Sequence, residues 1–205
     1  LPGSGIDLAR FAPAAMPERA PGEPLSVLMI GRVLYDKGVG EYVEAARRLK
    51  AEGLLARFAI LGFMDVENRT AVARATMDDW VREGTIDYLG TSTDVRPYIA
   101  AADCVVLPSY REGTPRTLLE AAALARPLVT TDVPGCREVV DNGDNGLLCR
   151  VKDSEDLARA LRQVLTMSAD ERRRMGEAGR RKIERQFDEQ LVIGIYRAEI
   201  LAAMP

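Results

Sequence analysis

Two cationic side chains follow the first apolar run of the sequence. Arg32 and Lys37 lie in the segment GRVLYDKG, residues 31–38, between the run LSVLMI and an amphipathic segment that begins at Val39. Two cations beside the start of a helix can bind a diphosphate, because the backbone amides, the helix dipole and the side-chain charges act on the same anion. Both side chains can equally be surface cations in a loop that its glycines shape. The spacing alone leaves these two interpretations open.

A pair of carboxylates lies farther along the chain. Glu112 belongs to the loop SYREGTPR, residues 109–116, and Glu120 stands eight positions later as the one polar residue in an apolar run of eight. Gly113 allows a ligand to approach the backbone closely. A carboxylate in apolar surroundings needs a partner, and a ribose diol or Arg116, four residues earlier, would each meet that need. The sequence therefore predicts a second binding loop, with the partner of Glu120 left open.

The composition limits the chemistry that the chain can perform. Its 205 residues include no histidine, which excludes histidine-based nucleophile pairs and metal sites. The net charge of −3 gives no reason to expect nucleic acid as a partner. Cys104, Cys136 and Cys149 form no CxxC pair and are interpreted as free thiols, which suits a reducing compartment. No apolar run approaches the roughly 20 residues that span a bilayer, so we expect a cytoplasmic location.

An alternation of strands and helices must position the two loops. Strands are predicted at residues 25–31, 57–62, 86–89, 103–107, 127–130 and 146–149. Helices are predicted at residues 39–51, 70–83, 95–102, 116–125, 137–141, 154–167, 168–186 and 188–203. This pattern indicates an α/β fold, a Rossmann-like, doubly wound parallel sheet of about six strands with helices on both faces. Ligands of such sheets bind beyond the carboxyl ends of the strands, where both charged loops lie.

The sequence divides into three parts. Residues 1–24 are rich in Pro, Gly and Ala and are predicted to be an interdomain linker or the start of the domain. Residues 25–187 form the predicted Rossmann-like domain. Residues 188–205 are predicted to form a C-terminal helix with one apolar side, which we expect to pack towards a further, N-terminal domain. The first residue is Leu rather than Met, so the sequence is interpreted as part of a longer chain.

Four segments occur together in one order along the chain. They are GRVLYDKG at residues 31–38, YLG at 88–90, the stretch 94–129 with its Glu-x7-Glu spacing, and PGCREVVDNGDNGLL at 134–148. In this combination the sequence resembles the donor-binding C-terminal domain of the retaining GT-B glycosyltransferases of family 4, a large family that includes sucrose synthase and many bacterial lipopolysaccharide and capsule enzymes. The opening PGSGIDLARF is similar to the interdomain linker of that family.

The resemblance implies a role for each matching residue. Arg32 and Lys37 would bind the diphosphate of a nucleotide-sugar donor, expected to be a UDP-sugar, and Glu112 would bind the sugar hydroxyls as the third catalytic residue. Glu120 would bind the ribose hydroxyls. The remaining donor-binding residues would be Gly31, Leu89, Gly90, Gly113, Thr114, Pro115 and Arg116. Thr114 stands where the family often has Phe or Tyr. The family needs neither a metal nor another cofactor, so none is expected here.

The resemblance also implies that the acceptor site lies in an N-terminal domain. We expect the whole enzyme to transfer a hexose or N-acetylhexosamine to a glycan or lipid-linked acceptor, either in the cytoplasm or as a peripheral protein at the cytoplasmic face of the inner membrane. We expect this sequence alone to be inactive. Two alternatives are a UDP-sugar epimerase of similar architecture and a non-catalytic nucleotide-sugar-binding module.

Two other motifs are set aside on their residues. The glycines at 38 and 40 open a helix after a strand, but Val43 stands where a dinucleotide-binding fingerprint has its third glycine. The segment DNGDNG at residues 141–146 has Gly143 and Lys152 where a calcium-binding loop requires oxygen ligands. Neither a dehydrogenase nor a calcium site is therefore expected.

Overall fold

The computed structural model describes residues 4–64 and 67–203, and within them one six-stranded sheet forms the centre of the fold. All neighbouring strands pair in parallel, in the order β3-β2-β1-β4-β5-β6. The strands are β1 (Leu25–Ile30), β2 (Ala56–Leu61), β3 (Asp87–Tyr88), β4 (Cys104–Leu107), β5 (Leu128–Thr131) and β6 (Gly146–Cys149). The predicted doubly wound, Rossmann-like sheet is thus confirmed.

Eight α-helices lie among the described residues. Five of them cross over between strands, and the last three follow β6. They are α1 (Val39–Ala51), α2 (Arg74–Arg82), α3 (Arg96–Ala101), α4 (Arg116–Ala123), α5 (Pro134–Val139), α6 (Ser154–Thr166), α7 (Ala169–Gln186) and α8 (Glu189–Ala203). A short 3₁₀ helix, Tyr35–Lys37, precedes α1.

The sheet separates two apolar layers because successive strand residues point to opposite faces. In β1, Val27 and Met29 pack into the layer that contains the buried side chains of α1, α2 and α6. Leu28 and Ile30 pack into the other layer, with α3, α4, α5 and the end of α7. Apolar side chains therefore cover both faces of the sheet, which agrees with the mainly apolar sequences of β1, β2 and β4.

Two predicted helix boundaries are wrong. The second helix begins at Arg74 rather than at residue 70, because backbone bonds to the loop after β1 hold the preceding residues: Tyr35 N donates to the Thr70 carbonyl (2.7 Å) and Val72 N to the Val33 carbonyl (3.2 Å). The fifth helix spans Pro134–Val139 rather than residues 137–141. Proline suits the first turn of a helix, where its missing N–H has no intrahelical partner to lose.

The segment before β1 packs onto the domain. Ile6 and Phe11 are buried, and Ile6 pairs with the junction between α7 and α8, its N–H donating to the Phe187 carbonyl at 2.8 Å. The fully buried Arg126 donates through Nη2 to the carbonyls of Ala14 (2.9 Å) and Ala15 (2.6 Å). Burial lowers the pKa of the Arg126 guanidinium to about 10. The described part of the predicted linker thus packs onto the domain, and the domain boundaries themselves stay a prediction.

Helix α8 leaves much apolar surface exposed. Val192 is buried, whereas Leu191, Ile193, Tyr196, Ile200 and Leu201 are all exposed. Across residues 4–64 and 67–203, no helix is long and apolar enough to cross a membrane. The predicted packing of α8 towards another domain stays a prediction.

Candidate functional site

The order of the strands creates a crevice between β1 and β4. From β1 the chain proceeds outwards to β2 and β3, and from β4 it proceeds in the opposite direction to β5 and β6. The loops after β1 and β4 therefore diverge at the carboxyl edge of the sheet, which is where ligands of open α/β sheets bind. These are the two charged loops that the sequence singled out.

Close backbone contacts hold the two loops against each other. Gly38 has a left-handed backbone with φ of 76°, and a Cβ at this position would collide with the Pro108 carbonyl. The N–H of Tyr110 donates to the Asp36 carbonyl at 2.9 Å. On the other side of the second loop, a Cβ at Gly135 in α5 would collide with the Gly113 carbonyl. Glycine at positions 38 and 135 thus permits the approach that fixes the shape of the crevice.

Two adjoining cavities occupy the crevice. The larger, of about 440 Å³, is lined by Arg32, Asp36, Lys37 and the loop residues Ser109, Tyr110, Arg111, Glu112 and Gly113. The smaller, of about 210 Å³, is lined by Ile30, Gly31, Arg32, Lys37, Leu107, Glu112, Pro115, Arg116 and Thr117. Arg32, Lys37 and Glu112, the three predicted catalytic residues, line both cavities. The structure therefore brings the three together.

Lys37 and Glu112 form an ion pair across the crevice. Lys37 Nζ lies 2.6 Å from Glu112 Oε1, and the two side chains are 20% and 13% exposed. The two residues are 75 positions apart in the sequence, so the pair depends on the contact between the loops. Partial burial weakens solvent screening, and such a pair is stronger than one on an open surface.

Glu120 is buried on the first turns of α4 and is bound by Arg116. Its Oε1 accepts a hydrogen bond from Arg116 Nε at 2.9 Å, and the arginine itself is mostly exposed. Burial raises the pKa of the Glu120 carboxyl above its ordinary value, an effect that Arg116 partly opposes. Of the two partners that the sequence left open, the arginine is present. Glu120 lines neither cavity itself and lies one helical turn from Arg116, which does.

The remaining predicted donor-binding residues are not all in the crevice. Gly31, Pro115 and Arg116 line the smaller cavity and Gly113 the larger, whereas Thr114 lines neither. Leu89 and Gly90 follow β3 at the far edge of the sheet and lie outside both cavities. Gly90 has a φ of 72°, its carbonyl accepts from Gly62 N at 2.8 Å, and Leu89 is 39% exposed. Their assignment to a base pocket stays a prediction.

Four residues that line the larger cavity had no role in the sequence analysis: Asp36, Ser109, Tyr110 and Arg111. The Tyr110 hydroxyl donates to Glu41 Oε1 on α1 at 2.7 Å, and burial raises the pKa of this tyrosine well above its usual range. Lys152, which has a left-handed φ of 58°, places its ammonium 4.9 Å from the Tyr110 ring centre. In the sequence, these residues are indicated only by their position next to Arg32, Lys37 and Glu112. Their contacts could not be predicted, because they join segments that are far apart in the chain.

The donor-binding halves of GT-B glycosyltransferases have this class of fold, a parallel sheet with a ligand crevice at its switch point. The family model described as "Glycosyl transferases group 1" matches residues 24–167. The chain belongs to this family of glycosyltransferases. The predicted resemblance is confirmed at this level, while the retaining stereochemistry and the assignment to family 4 stay predictions.

Curated relatives are bacterial enzymes of polysaccharide and glycan assembly. The putative colanic acid biosynthesis glycosyltransferase WcaL of Escherichia coli K12 is 31% identical over 92% of this chain and 47% of its own length. The N,N'-diacetylbacillosaminyl-diphospho-undecaprenol α-1,3-N-acetylgalactosaminyltransferase of Campylobacter jejuni is 34% identical over 83% of this chain and 43% of its own length. The chain thus spans less than half the length of these two relatives.

Solved structures of glycosyltransferases share the fold. Sucrose-phosphate synthase from Thermosynechococcus elongatus superposes with a TM-score of 0.80 at 24% identity, over 98% of this chain and 52% of the other. Anabaena HepE in complex with UDP and glucose gives 0.78 at 18% identity, over 98% and 55%. The C-terminal domain of the group 1 glycosyl transferase LpcC from Francisella tularensis gives 0.73 at 21% identity, over 90% and 99%. These similarities show the fold alone.

Proposed function

We propose that this chain binds a UDP-sugar and is the donor-binding half of a retaining glycosyltransferase. One observation carries the proposal: Arg32, Lys37 and Glu112 line both cavities of the crevice at the switch point. Two cations and a carboxylate are the groups that a diphosphate joined to a sugar requires, since the cations attract the phosphates and the carboxylate accepts hydrogen bonds from hydroxyls.

The chemical step in this proposal is the departure of the nucleotide diphosphate from the anomeric carbon. Negative charge grows on the leaving phosphate oxygen, and Arg32 and Lys37 stabilise it because they already lie at the crevice before the reaction. Glu112 orients the sugar through its hydroxyls. We propose that these side chains meet the charge without a metal ion and that the transfer retains the anomeric configuration.

Glu120 is proposed to bind the ribose. Its carboxylate lies on the helix that follows the second loop and is bound by Arg116, whose side chain is 65% exposed. A buried carboxylate with an exposed partner can exchange that partner for the two hydroxyls of a ribose. Leu89 and Gly90, which follow β3, are proposed to line the pocket of the base.

The acceptor and the location are proposed from the relatives. HepE was solved with UDP-glucose, and the Campylobacter enzyme is named for an undecaprenol-linked substrate. We propose that the whole protein transfers a hexose or N-acetylhexosamine to a glycan or lipid-linked acceptor held by an N-terminal domain. It would do so in the cytoplasm, as a peripheral protein at the inner membrane.

The experiment that tests donor binding is titration calorimetry with UDP. A hydrogen bond to a charged group contributes about 1.5–3 kcal/mol, so Lys37→Ala should weaken UDP binding by roughly tenfold or more. Glu52→Gln is the matched control, because Glu52 forms an ion pair with Arg162 away from the crevice. A wild-type chain that binds no UDP, or a Lys37→Ala variant that binds it as well as the wild type, would refute the proposal.

The separate chain is proposed to bind the donor without transferring the sugar. Proximity and orientation of two reactants can contribute about 7–11 kcal/mol of barrier lowering, and this contribution requires a bound acceptor. Mass spectrometry over a panel of UDP-sugars and lipid-linked acceptors should detect no product with the chain alone, and product once an N-terminal domain is joined to it. Robust turnover by this chain alone would contradict the assignment of the acceptor site to another domain.

A further inference from the structure

We propose that Glu112 determines donor specificity by making the site prefer a sugar-bearing nucleotide diphosphate to the free diphosphate. The inference rests on the proposed function and deepens it. The carboxylate would act in two ways: it binds the sugar when a sugar is present, and it competes with phosphate for Lys37 when the sugar is absent.

The ion pair of Lys37 and Glu112 carries the inference. Glu112 Oε1 lies 2.6 Å from the ammonium that is proposed to bind phosphate, so a carboxylate oxygen occupies the position next to Lys37 that an anionic oxygen of a ligand would take. Both side chains are more than three-quarters buried. The charges attract each other through a medium that screens them less than bulk water does.

The loops that bear the pair are fixed relative to each other. Gly38 packs against the Pro108 carbonyl, the Tyr110 N–H donates to the Asp36 carbonyl, and the Tyr110 hydroxyl donates to Glu41. The loops cannot easily separate without losing these contacts. Glu112 therefore remains beside whatever anion replaces it at Lys37.

A free diphosphate and a sugar diphosphate then meet different surroundings. Free UDP must take Lys37 from Glu112 and leaves the carboxylate partly buried, without its cation and beside a second anion, which is unfavourable. A donor sugar compensates for this loss because its hydroxyls donate hydrogen bonds to the carboxylate. Once the sugar has been transferred, Glu112 pairs with Lys37 again and promotes release of UDP.

The test is the UDP affinity of Glu112→Gln, measured by calorimetry on this chain. Glutamine keeps the shape of the side chain and removes its charge, so UDP should bind about threefold to tenfold more tightly than to the wild type. Glu112→Ala, which removes the same contact by shortening the side chain, should change the UDP affinity in the same direction. With UDP-glucose and UDP-N-acetylglucosamine, the ratio of UDP-sugar affinity to UDP affinity should fall in both variants for whichever sugar the wild type prefers.

Two controls distinguish the loss of the Lys37–Glu112 ion pair from the loss of a negative charge alone. Asp36 contributes a carboxylate to the same cavity, and its Oδ1 has no hydrogen-bond partner among the described residues. Asp36→Asn therefore removes a negative charge without breaking the pair and should give a smaller gain than Glu112→Gln. In a Lys37→Ala background, Glu112→Gln should also give a smaller gain, because no pair remains to be broken.

The outcomes distinguish the inference from the proposed function. If the wild type binds UDP, Lys37→Ala weakens the binding and Glu112→Gln leaves it unchanged or weaker, the inference alone is overturned. A gain from Asp36→Asn equal to that from Glu112→Gln, or an undiminished gain in the Lys37→Ala background, also overturns it. If the wild type binds no UDP, the proposed function fails and the inference fails with it.

Discussion

The substitution Glu120→Gln tests the carboxylate assigned to the ribose. It keeps the size of the side chain and removes a charge that is buried on α4, where Arg116 Nε lies 2.9 Å from Oε1. A charged hydrogen bond contributes about 1.5–3 kcal/mol, so we expect UDP binding to weaken by roughly tenfold to a hundredfold. Pyrophosphate has no ribose, and its affinity should not change.

The same substitution should affect stability in the opposite direction. Burial raises the pKa of Glu120 above its ordinary value of 4.5. The folded state therefore binds the proton more tightly than the unfolded state, and ionising the carboxyl opposes folding. This destabilisation is absent at pH values below about 4.5 and develops as the pH rises through the raised pKa. Glu120→Gln removes it, so the Tm of the variant relative to the wild type should be higher at pH 7 than at pH 4.

Calorimetry with UDP and pyrophosphate, together with thermal unfolding at the two pH values, measures both effects. Glu52→Gln is the opposite control, because Arg162 lowers the pKa of the Glu52 carboxyl. That control should lose stability at pH 7 relative to pH 4 and keep its UDP affinity. Equal losses of UDP and pyrophosphate affinity in Glu120→Gln would refute the ribose assignment. If the Tm of Glu120→Gln relative to the wild type decreased from pH 4 to pH 7, the raised pKa of the Glu120 carboxyl would be refuted.

Three further predictions concern the fold. Gly38→Ala should lower the free energy of unfolding in urea by more than the roughly 1–2 kcal/mol that a left-handed alanine costs. The loss should also exceed that of the control Gly84→Ala, because Gly84 has a similar φ of 69° but an added Cβ there would meet nothing within 4 Å. Asp94 should titrate by NMR at a pKa of about 2, with its contribution to stability lost as the pH falls from 3.8 towards that value; Arg96→Gln should return the pKa towards 3.8. An unchanged titration of Asp94 in Arg96→Gln would refute the assignment of its low pKa to the hydrogen bond with the Arg96 side chain. Arg126→Leu should speed hydrogen exchange in the segment before β1, and unchanged exchange would show that its bonds to that segment are dispensable.

The strands and most helices could be predicted because local sequence determines them. The strands β1, β2 and β4 lie in short, mainly apolar runs, and α1 spans residues 39–51 as its apolar spacing predicts. The predicted boundaries of α2 and α5 were wrong because contacts outside the helix or a proline, and not the apolar spacing, determine where these helices begin. Backbone bonds from the loop after β1 delay α2, and Pro134 begins α5 earlier than its apolar pattern suggests.

The site could be predicted in its residues but not in its contacts. The two loops follow strands, and the general position of ligands in open sheets predicts that both lie at the binding edge. The roles of Arg32, Lys37 and Glu112 come from the family resemblance and stay predictions. The pairing of Glu120 with Arg116 was also a candidate, since residues four apart lie on one face of a helix. The ion pair of Lys37 and Glu112 joins residues 75 positions apart, and nothing in either local sequence determines the distance between them.

The contact between Ile6 and Asp188 has a consequence for the order of events during synthesis. These residues pair as a parallel bridge although about 180 residues separate them. A ribosome that adds roughly 5–20 residues per second needs about 9–36 s to produce that length of chain. The backbone bonds that Ile6 makes with Phe187 and Glu189 therefore form only after all six strands have been synthesised. Attachment of Ile6 to the junction of α7 and α8 thus belongs to the last stage of folding during synthesis.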